Sequence, residues 1–111
     1  MDKKSDEIKE IILKFIYDIS SLVKIEKVIL FGSWARGEAN KKSDIDLIIL
    51  SSDFEKLKYF KRSGRFYMKW NYPIDIDIIC LTPEEYEVKR KQIGTIGEAA
   101  KEGIEIIKWG R

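Results

Sequence analysis

Gly32-Ser33, ten intervening residues, and then Asp44-Ile45-Asp46 constrain this chain more than any other feature. The apolar run Val28 to Phe31 fits a buried strand, and it ends in a glycine followed by a serine. Glycine lets backbone approach a ligand closely, and a serine hydroxyl can donate to a phosphate oxygen. Beyond the loop, Asp44, Asp46, Ile48 and Leu50 fall on one face of a second strand, because side chains alternate with period two. Two carboxylates aimed the same way repel each other, and a cation between them relieves the repulsion. Mg²⁺, with nucleotide phosphates as its further ligands, suits such hard oxygen donors. A solvated strand-end pair is the alternative for an isolated Asp-x-Asp, but here the pair follows a strand, Gly32-Ser33, Arg36, Gly37 and Ser43 in order.

That constellation resembles the signature of the DNA-polymerase-β-like nucleotidyltransferases, and specifically the small MNT-type (minimal nucleotidyltransferase) proteins. The resemblance continues into Tyr72-Pro73-Ile74-Asp75-Ile76-Asp77-Ile78-Ile79-Cys80-Leu81-Thr82-Pro83-Glu84-Glu85, which is similar to the family's third-acid strand and the turn into its next helix. It implies a polymerase-β-like α/β (α+β) fold with a central mixed, twisted sheet flanked by helices. It also implies transfer of a nucleoside monophosphate from an NTP, with ATP the expected donor, by a two-metal mechanism. Asp44 and Asp46 are then expected to hold Mg²⁺ with a third acid, and Gly32, Ser33, Arg36 and Ser43 to line the nucleotide site. The third acid aligns best with Asp77, and Asp75, two residues earlier on the same face, is the alternative.

Composition narrows the chemistry further. The 111 residues contain no histidine and one cysteine, Cys80. This excludes Ser-His-Asp and Cys-His catalysis, Cys/His zinc sites and an internal disulfide, and leaves acid–base work to carboxylates. Cys80 sits among Ile78, Ile79 and Leu81 and reads as a small hydrophobe. With 44% hydrophobic and 36% charged residues, a single globular domain over residues 1–111 is expected. No apolar run approaches the roughly 20 residues that cross a bilayer. Residues 1 to 7 are charged and precede an amphipathic pattern, so a cytoplasmic protein without a secretory signal is expected.

The expected elements alternate. Ser5, Asp6 and Glu7 mark a helix start, with Ile8, Ile11, Ile12, Phe15, Ile19 and Leu22 at helical spacing. Strands are expected over Glu26 to Phe31, Asp44 to Leu50 and Ile74 to Leu81, with a short turn or helix from Trp34 to Gly37. A helix interrupted by Gly64 is expected from about Asp53 to Lys69. Thr82 is an N-cap candidate before Pro83, Glu84 and Glu85, opening a helix. A further helix spans Thr95 to Lys101 and stops at Gly103, before a last short strand containing Ile104, Ile106, Ile107 and Trp109.

Between Lys56 and Lys69 lie six basic residues, Lys56, Lys58, Lys61, Arg62, Arg65 and Lys69, with no acid, among Tyr59, Phe60, Phe66, Tyr67 and Trp70. Such interleaving suits base stacking and phosphate contact. The reading adopted is a helix whose cations are solvated and whose aromatics enter the core, since the net charge is only +2. Trp34 is read as a packing residue and Glu84 to Lys91 as a solvated helix surface.

The resemblance also suggests the acceptor. MNT-type proteins pair with helical HEPN-type toxins as antitoxins, and some transfer AMP to a tyrosine of the toxin. The competing reading is a non-catalytic nucleotide- or partner-binding antitoxin module. A third is transfer to a small molecule or an RNA end, with the acceptor pocket completed by a homodimer or another subunit.

Overall fold

In a computed structural model of the protein, the described residues are 3–40 and 42–108. Helix α1 (Lys3–Ile19) leads into strand β1 (Lys27–Phe31), short helix α2 (Ser33–Arg36) and strand β2 (Ile45–Leu50). Two 3-10 turns (Ser52–Lys56 and Tyr59–Lys61) and short helix α3 (Gly64–Met68) precede strand β3 (Ile76–Leu81). Helices α4 (Pro83–Lys89) and α5 (Thr95–Glu102) and strand β4 (Ile104–Lys108) complete the described residues. The sheet order is β3-β2-β1-β4. β1 pairs antiparallel with β2 and β4, and β2 pairs parallel with β3, so the sheet is mixed as expected.

Strand alternation builds two cores of unequal size. On one face Val28 and Leu30 of β1, Ile45, Leu47 and Ile49 of β2, and Ile76, Ile78 and Cys80 of β3 pack against Ile8, Ile12, Phe15, Ile16 and Ile19 of α1. Burying each large apolar side chain contributes about 1.5–3 kcal/mol, which makes this face the main source of stability. Trp70 closes its margin edge-on to Phe15, with ring centroids 5.0 Å apart. On the other face Ile29, Phe31, Ile48, Leu50, Ile79 and Leu81 pack against Tyr86 of α4 and Ile96, Ala99 and Ala100 of α5. Cys80 is buried as read from sequence, and burial pushes its thiol up to about 12, so it stays protonated.

Element ends move slightly from expectation. α1 already begins at Lys3, so Ser5 lies inside the helix, and it ends at Ile19, after which Leu22 packs on the core from outside it. β1 starts at Lys27, β2 at Ile45 and β3 at Ile76, placing Glu26, Asp44 and Ile74 just ahead of their strands. Thr82 forms the expected N-cap: its hydroxyl accepts from Glu85 N–H while the Glu85 carboxylate accepts from Thr82 N–H, a reciprocal capping box. Gly103 ends α5 at φ −69°, and its reason is close packing, since a Cβ there would meet the Ala99 carbonyl and Ile29. β4 is present as expected, and Trp109 lies outside the described residues. Among the described residues no helix is long and apolar enough to cross a membrane.

The largest correction is the segment read as one helix from Asp53 to Lys69. It folds as the two 3-10 turns and α3, with Leu57 and Lys58 extended between them. The reason is tertiary: β3 is an edge strand, and this segment wraps along its open side. Ile78 N–H donates to the Tyr67 hydroxyl at 2.8 Å, and Arg62 Nη1 donates to the Cys80 carbonyl at 3.1 Å. Covering these groups removes a template for unwanted strand pairing. Phe66 enters the core beside Phe54 and Trp70 packs against it, as expected of the aromatics, whereas Tyr59, Phe60 and Tyr67 remain exposed.

Arg62, one of the six cations in the basic segment, is 4% exposed rather than solvated. It donates to both Glu85 carboxylate oxygens, at 2.6 and 3.1 Å, and through Nε to the Leu57 carbonyl at 3.1 Å. Glu85 accordingly belongs to this network as well as to the capping box, which corrects its reading as plain helix surface. The Arg62 guanidinium, the largest cause, holds the Glu85 carboxyl below the usual range. That stabilisation is present above the unfolded carboxylate pKa and is lost as pH falls through the lower folded one. Removing Glu85 leaves a buried cation, whereas removing Arg62 leaves a carboxylate that water reaches. Glu85→Ala is therefore expected to cost about 2–3 kcal/mol, less than a fully buried pair because Glu85 is partly solvated. Arg62→Met should cost less in the same urea titrations at pH 7; the reverse order would overturn the assignment.

Candidate active site

β1 delivers Phe31 opposite Asp46, and β2 lays Asp46 beside Asp77 of β3 in register. Asp44, two residues before Asp46, belongs to the same face by alternation. The acids stand at the end of the second face away from Leu50 and Leu81, where the smaller apolar core lies. Gly32 follows β1 directly and comes against Asp46: a Cβ at Gly32 would collide with Asp46 Oδ2. Its φ of 74° also belongs to the left-handed region that favours glycine. The Gly32 carbonyl accepts from Ala35 and Arg36 N–H, both at 3.1 Å, which turns the chain into α2. Ser33 is the first residue of that turn.

The loop back to the acids is braced rather than loose. Trp34, packed against the main core, donates through Nε1 to the Ser43 carbonyl at 3.1 Å. The Ser43 hydroxyl accepts from Asn40 N–H at 2.9 Å. Ser43 thus braces the turn immediately before Asp44, and Trp34 packs as read from sequence. Arg36 donates to Glu38 at 2.7 Å and to Glu102, the last residue of α5, at 3.1 Å. Glu38 lies two residues away within the loop, whereas Glu102 is invisible in the local motif because it arrives from 66 residues away. Asp75 is exposed just before β3, and its backbone carbonyl accepts from Ile45 N–H at 2.9 Å.

Charge within the cluster falls mainly on Asp46. Burial raises its carboxyl above the usual range, and the negative charges of Asp77 and then Asp44 raise it further, while Arg36 partly offsets them. Among the described residues no three acidic, cysteine or histidine side chains form a preassembled metal-ligating group. The donor set nevertheless fits a divalent cation chemically: acids from adjacent strands share a face, a glycine cradle leaves room beside Asp46, and their mutual repulsion is what a cation relieves.

A polymerase-β-like arrangement of strand, glycine turn and paired acids on a mixed sheet defines a nucleotidyltransferase fold. The chain belongs to the nucleotidyltransferase domain family, whose model matches residues 9–72. A Methanocaldococcus jannaschii chain named for protein adenylyltransferase activity is 36% identical over 106 residues, covering 90% of this chain and 99% of that one. Another from the same organism, named likewise, is 33% identical over 78 residues, covering 69% and 88%. Among solved structures, one named as a nucleotidyltransferase from Sulfolobus solfataricus superposes with a TM-score of 0.67 at 19% identity, covering 97% of this chain and 90% of that one. A chain of a toxin–antitoxin structure with AMP-PNP gives a TM-score of 0.52 at 20% identity, covering 93% and 73%.

Two outcomes follow from the geometry. Gly32→Ala introduces both a clash with Asp46 and a backbone (φ 74°, ψ −156°) that is essentially glycine-only and costs about 1–3 kcal/mol, whereas Gly37→Ala, left-handed at φ 74° and ψ 19° with nothing within 4 Å, carries only a cost of about 1–2 kcal/mol. Nucleotide titrations should show binding weakened in the Gly32 variant alone, and equal binding in both would sink the cradle assignment. A raised carboxyl destabilises the fold fully above its folded pKa and not at all below the unfolded one. Asp46→Asn should therefore raise the melting temperature at pH 7 in chelator, with the gain shrinking as pH drops into the carboxylate range. A pH-independent gain would show that charge is not the cause.

Proposed function

We propose that this chain, acting as a single domain, transfers AMP from ATP to a hydroxyl on a protein acceptor, most economically a tyrosine of a HEPN-type toxin partner. The observation that carries the reading is Asp46, set between the Gly32 cradle and Asp77. Relatives named for protein adenylyltransferase activity and the fold shared with a toxin–antitoxin chain support the choice of donor and acceptor.

Asp44, Asp46 and Asp77 would hold Mg²⁺, two ions in the full reading, which would supply charge neutralisation of the triphosphate and acidify the attacking hydroxyl. The hydroxyl oxygen forms a bond to the α-phosphorus as the α–β bridging P–O bond breaks, and pyrophosphate leaves with that electron pair. Asp77, on the β3 side of Asp46, accepts the hydroxyl proton at a carboxylate oxygen. Asp77 is preferred to Asp75 because its charge acts on Asp46 more strongly than any other. Gly32 admits backbone close to the leaving phosphates, Ser33 donates its hydroxyl to them, and Arg36 exchanges a carboxylate for phosphate oxygen. Ser43 contributes by holding the turn that aims Asp44.

A second reading, a nucleotide- or partner-binding antitoxin module without turnover, draws on Arg36. The cation assigned to the leaving phosphates is engaged by Glu38 and Glu102. The test separates the two. ATP is titrated with and without Mg²⁺ into wild type and Asp44→Asn/Asp46→Asn, and the co-expressed partner is weighed by mass spectrometry. Transfer predicts metal-dependent binding, one AMP added to the partner, and a loss of roughly 100-fold or more in the double variant. Binding with an unmodified partner would establish the module instead.

A further inference from the structure

An open cavity of about 320 Å³ lies on the acid-bearing side of the sheet, lined in part by Ile79, Tyr59, Lys89, Ile93 and Thr95. Ile79 follows Asp77 by two residues on the same face of β3, which places the cavity roughly 7 Å further along the strand. Its lining is more polar than apolar, but two of its apolar side chains reach solvent: Tyr59 is 56% exposed, and Ile93, in the connection between α4 and α5, is fully so. The Tyr59 ring is set by the Arg62 guanidinium 5.7 Å from its centroid. Lys89 lines the cavity with positive charge, and exposed Lys58 and Lys91 adjoin the lining residues Tyr59 and Gln92 in sequence.

Sheet order gives this cavity a role. In phosphoryl transfer the attacking and leaving oxygens lie roughly in line through the phosphorus. Gly32 and Ser33 lie at the β1 end of the row β1-β2-β3, and leaving phosphates held there direct the departing oxygen toward β1. The attacking hydroxyl then arrives from the β3 side, the strand whose Ile79 lines the cavity.

We propose that the surface formed by Tyr59, Ile79, Lys89 and Ile93, which Lys91 adjoins in sequence, docks the acceptor as a polypeptide segment, an apolar residue packing on Tyr59 and Ile93 and acidic residues meeting the lysines, so that its hydroxyl reaches the α-phosphorus. This rests on the nucleotidyltransferase reading above and extends it to the acceptor. The exposed Tyr59 and Ile93 suit an apolar protein side chain, and Lys89 with its near neighbour Lys91 sets the charge beside it. The bonds exchanged are unchanged: the acceptor O–P bond forms, the α–β bridge breaks, and the hydroxyl proton passes to Asp77.

The test uses ATP labelled in its α-phosphate, Mg²⁺, and two synthetic peptides carrying a central tyrosine beside leucine, one flanked by glutamates and one by lysines. Wild type should label the acidic peptide at least tenfold faster. Lys89→Glu/Lys91→Glu should abolish or reverse that preference while ATP titration stays within twofold of wild type, and Ile93→Asp should raise KM for the acidic peptide. A preference unaltered by charge reversal overturns the proposal. ATP affinity falling in step with transfer would place the nucleotide in the cavity and also overturn it. Binding of ATP with Mg²⁺ but no label on either peptide rejects this docking surface and leaves the nucleotide site standing, whereas no ATP binding by wild type removes the function proposed above as well.

Discussion

The position of β2 between an antiparallel and a parallel neighbour is the constraint on which the site depends. Antiparallel pairing brings the end of β1, and therefore Gly32, to the start of β2. Parallel pairing brings the start of β3 to the same place, so Asp46 and Asp77 lie abreast. A slip of one residue in either ladder would turn the acids into the apolar core under α1 and expose Leu47 and Ile78. The eight strand residues buried beneath α1 thus fix the register that a charge cluster cannot fix for itself.

The same division explains how the fold tolerates its own repulsion. The acids occupy the half of the second face that α4 and α5 leave uncovered, and Asp46 is drawn far enough in for burial to raise its carboxyl. The buried charge that the fold does accept, Arg62, lies elsewhere and is fully engaged: two carboxylate oxygens and two backbone carbonyls take its donors. Its position also seals the β3 edge, so one side chain serves the capping of α4, the protection of an edge strand and the placement of Tyr59.

The acid strands were legible in the sequence because period-two alternation and the Gly-Ser turn are local signals, as is the capping box at Thr82. The segment from Asp53 to Lys69 was not, since its conformation answers to the open edge of β3, which is a property of the assembled sheet. Arg62 looks like any other cation in that run until Glu85 and the Cys80 carbonyl are brought to it. Within the site, local sequence puts Asp44 and Asp46 on one face and offers Asp77 or Asp75 on a neighbouring strand, but it does not show Glu102 as a partner of Arg36, because Glu102 approaches through packing of α5 on β1.

That last contact ties the two sides of the site together. Glu102 ends α5 and holds Arg36 beside the glycine turn, while the start of the same helix, at Thr95 and Gly97, lines the cavity on the β3 side. Gly103 keeps the helix close to the sheet, where any side chain would strike Ile29. Both ion pairs of Arg36 are solvent-exposed, so salt screens them and their loss to a phosphate is compensated by water around the released carboxylates. In the function proposed above, a multiply charged phosphate would offer the guanidinium bidentate, charge-assisted bonds beside Asp46, and Arg36 would exchange its exposed carboxylate partners for it. The arginine would then be parked rather than consumed, held by a helix whose other end lines the cavity on the β3 side.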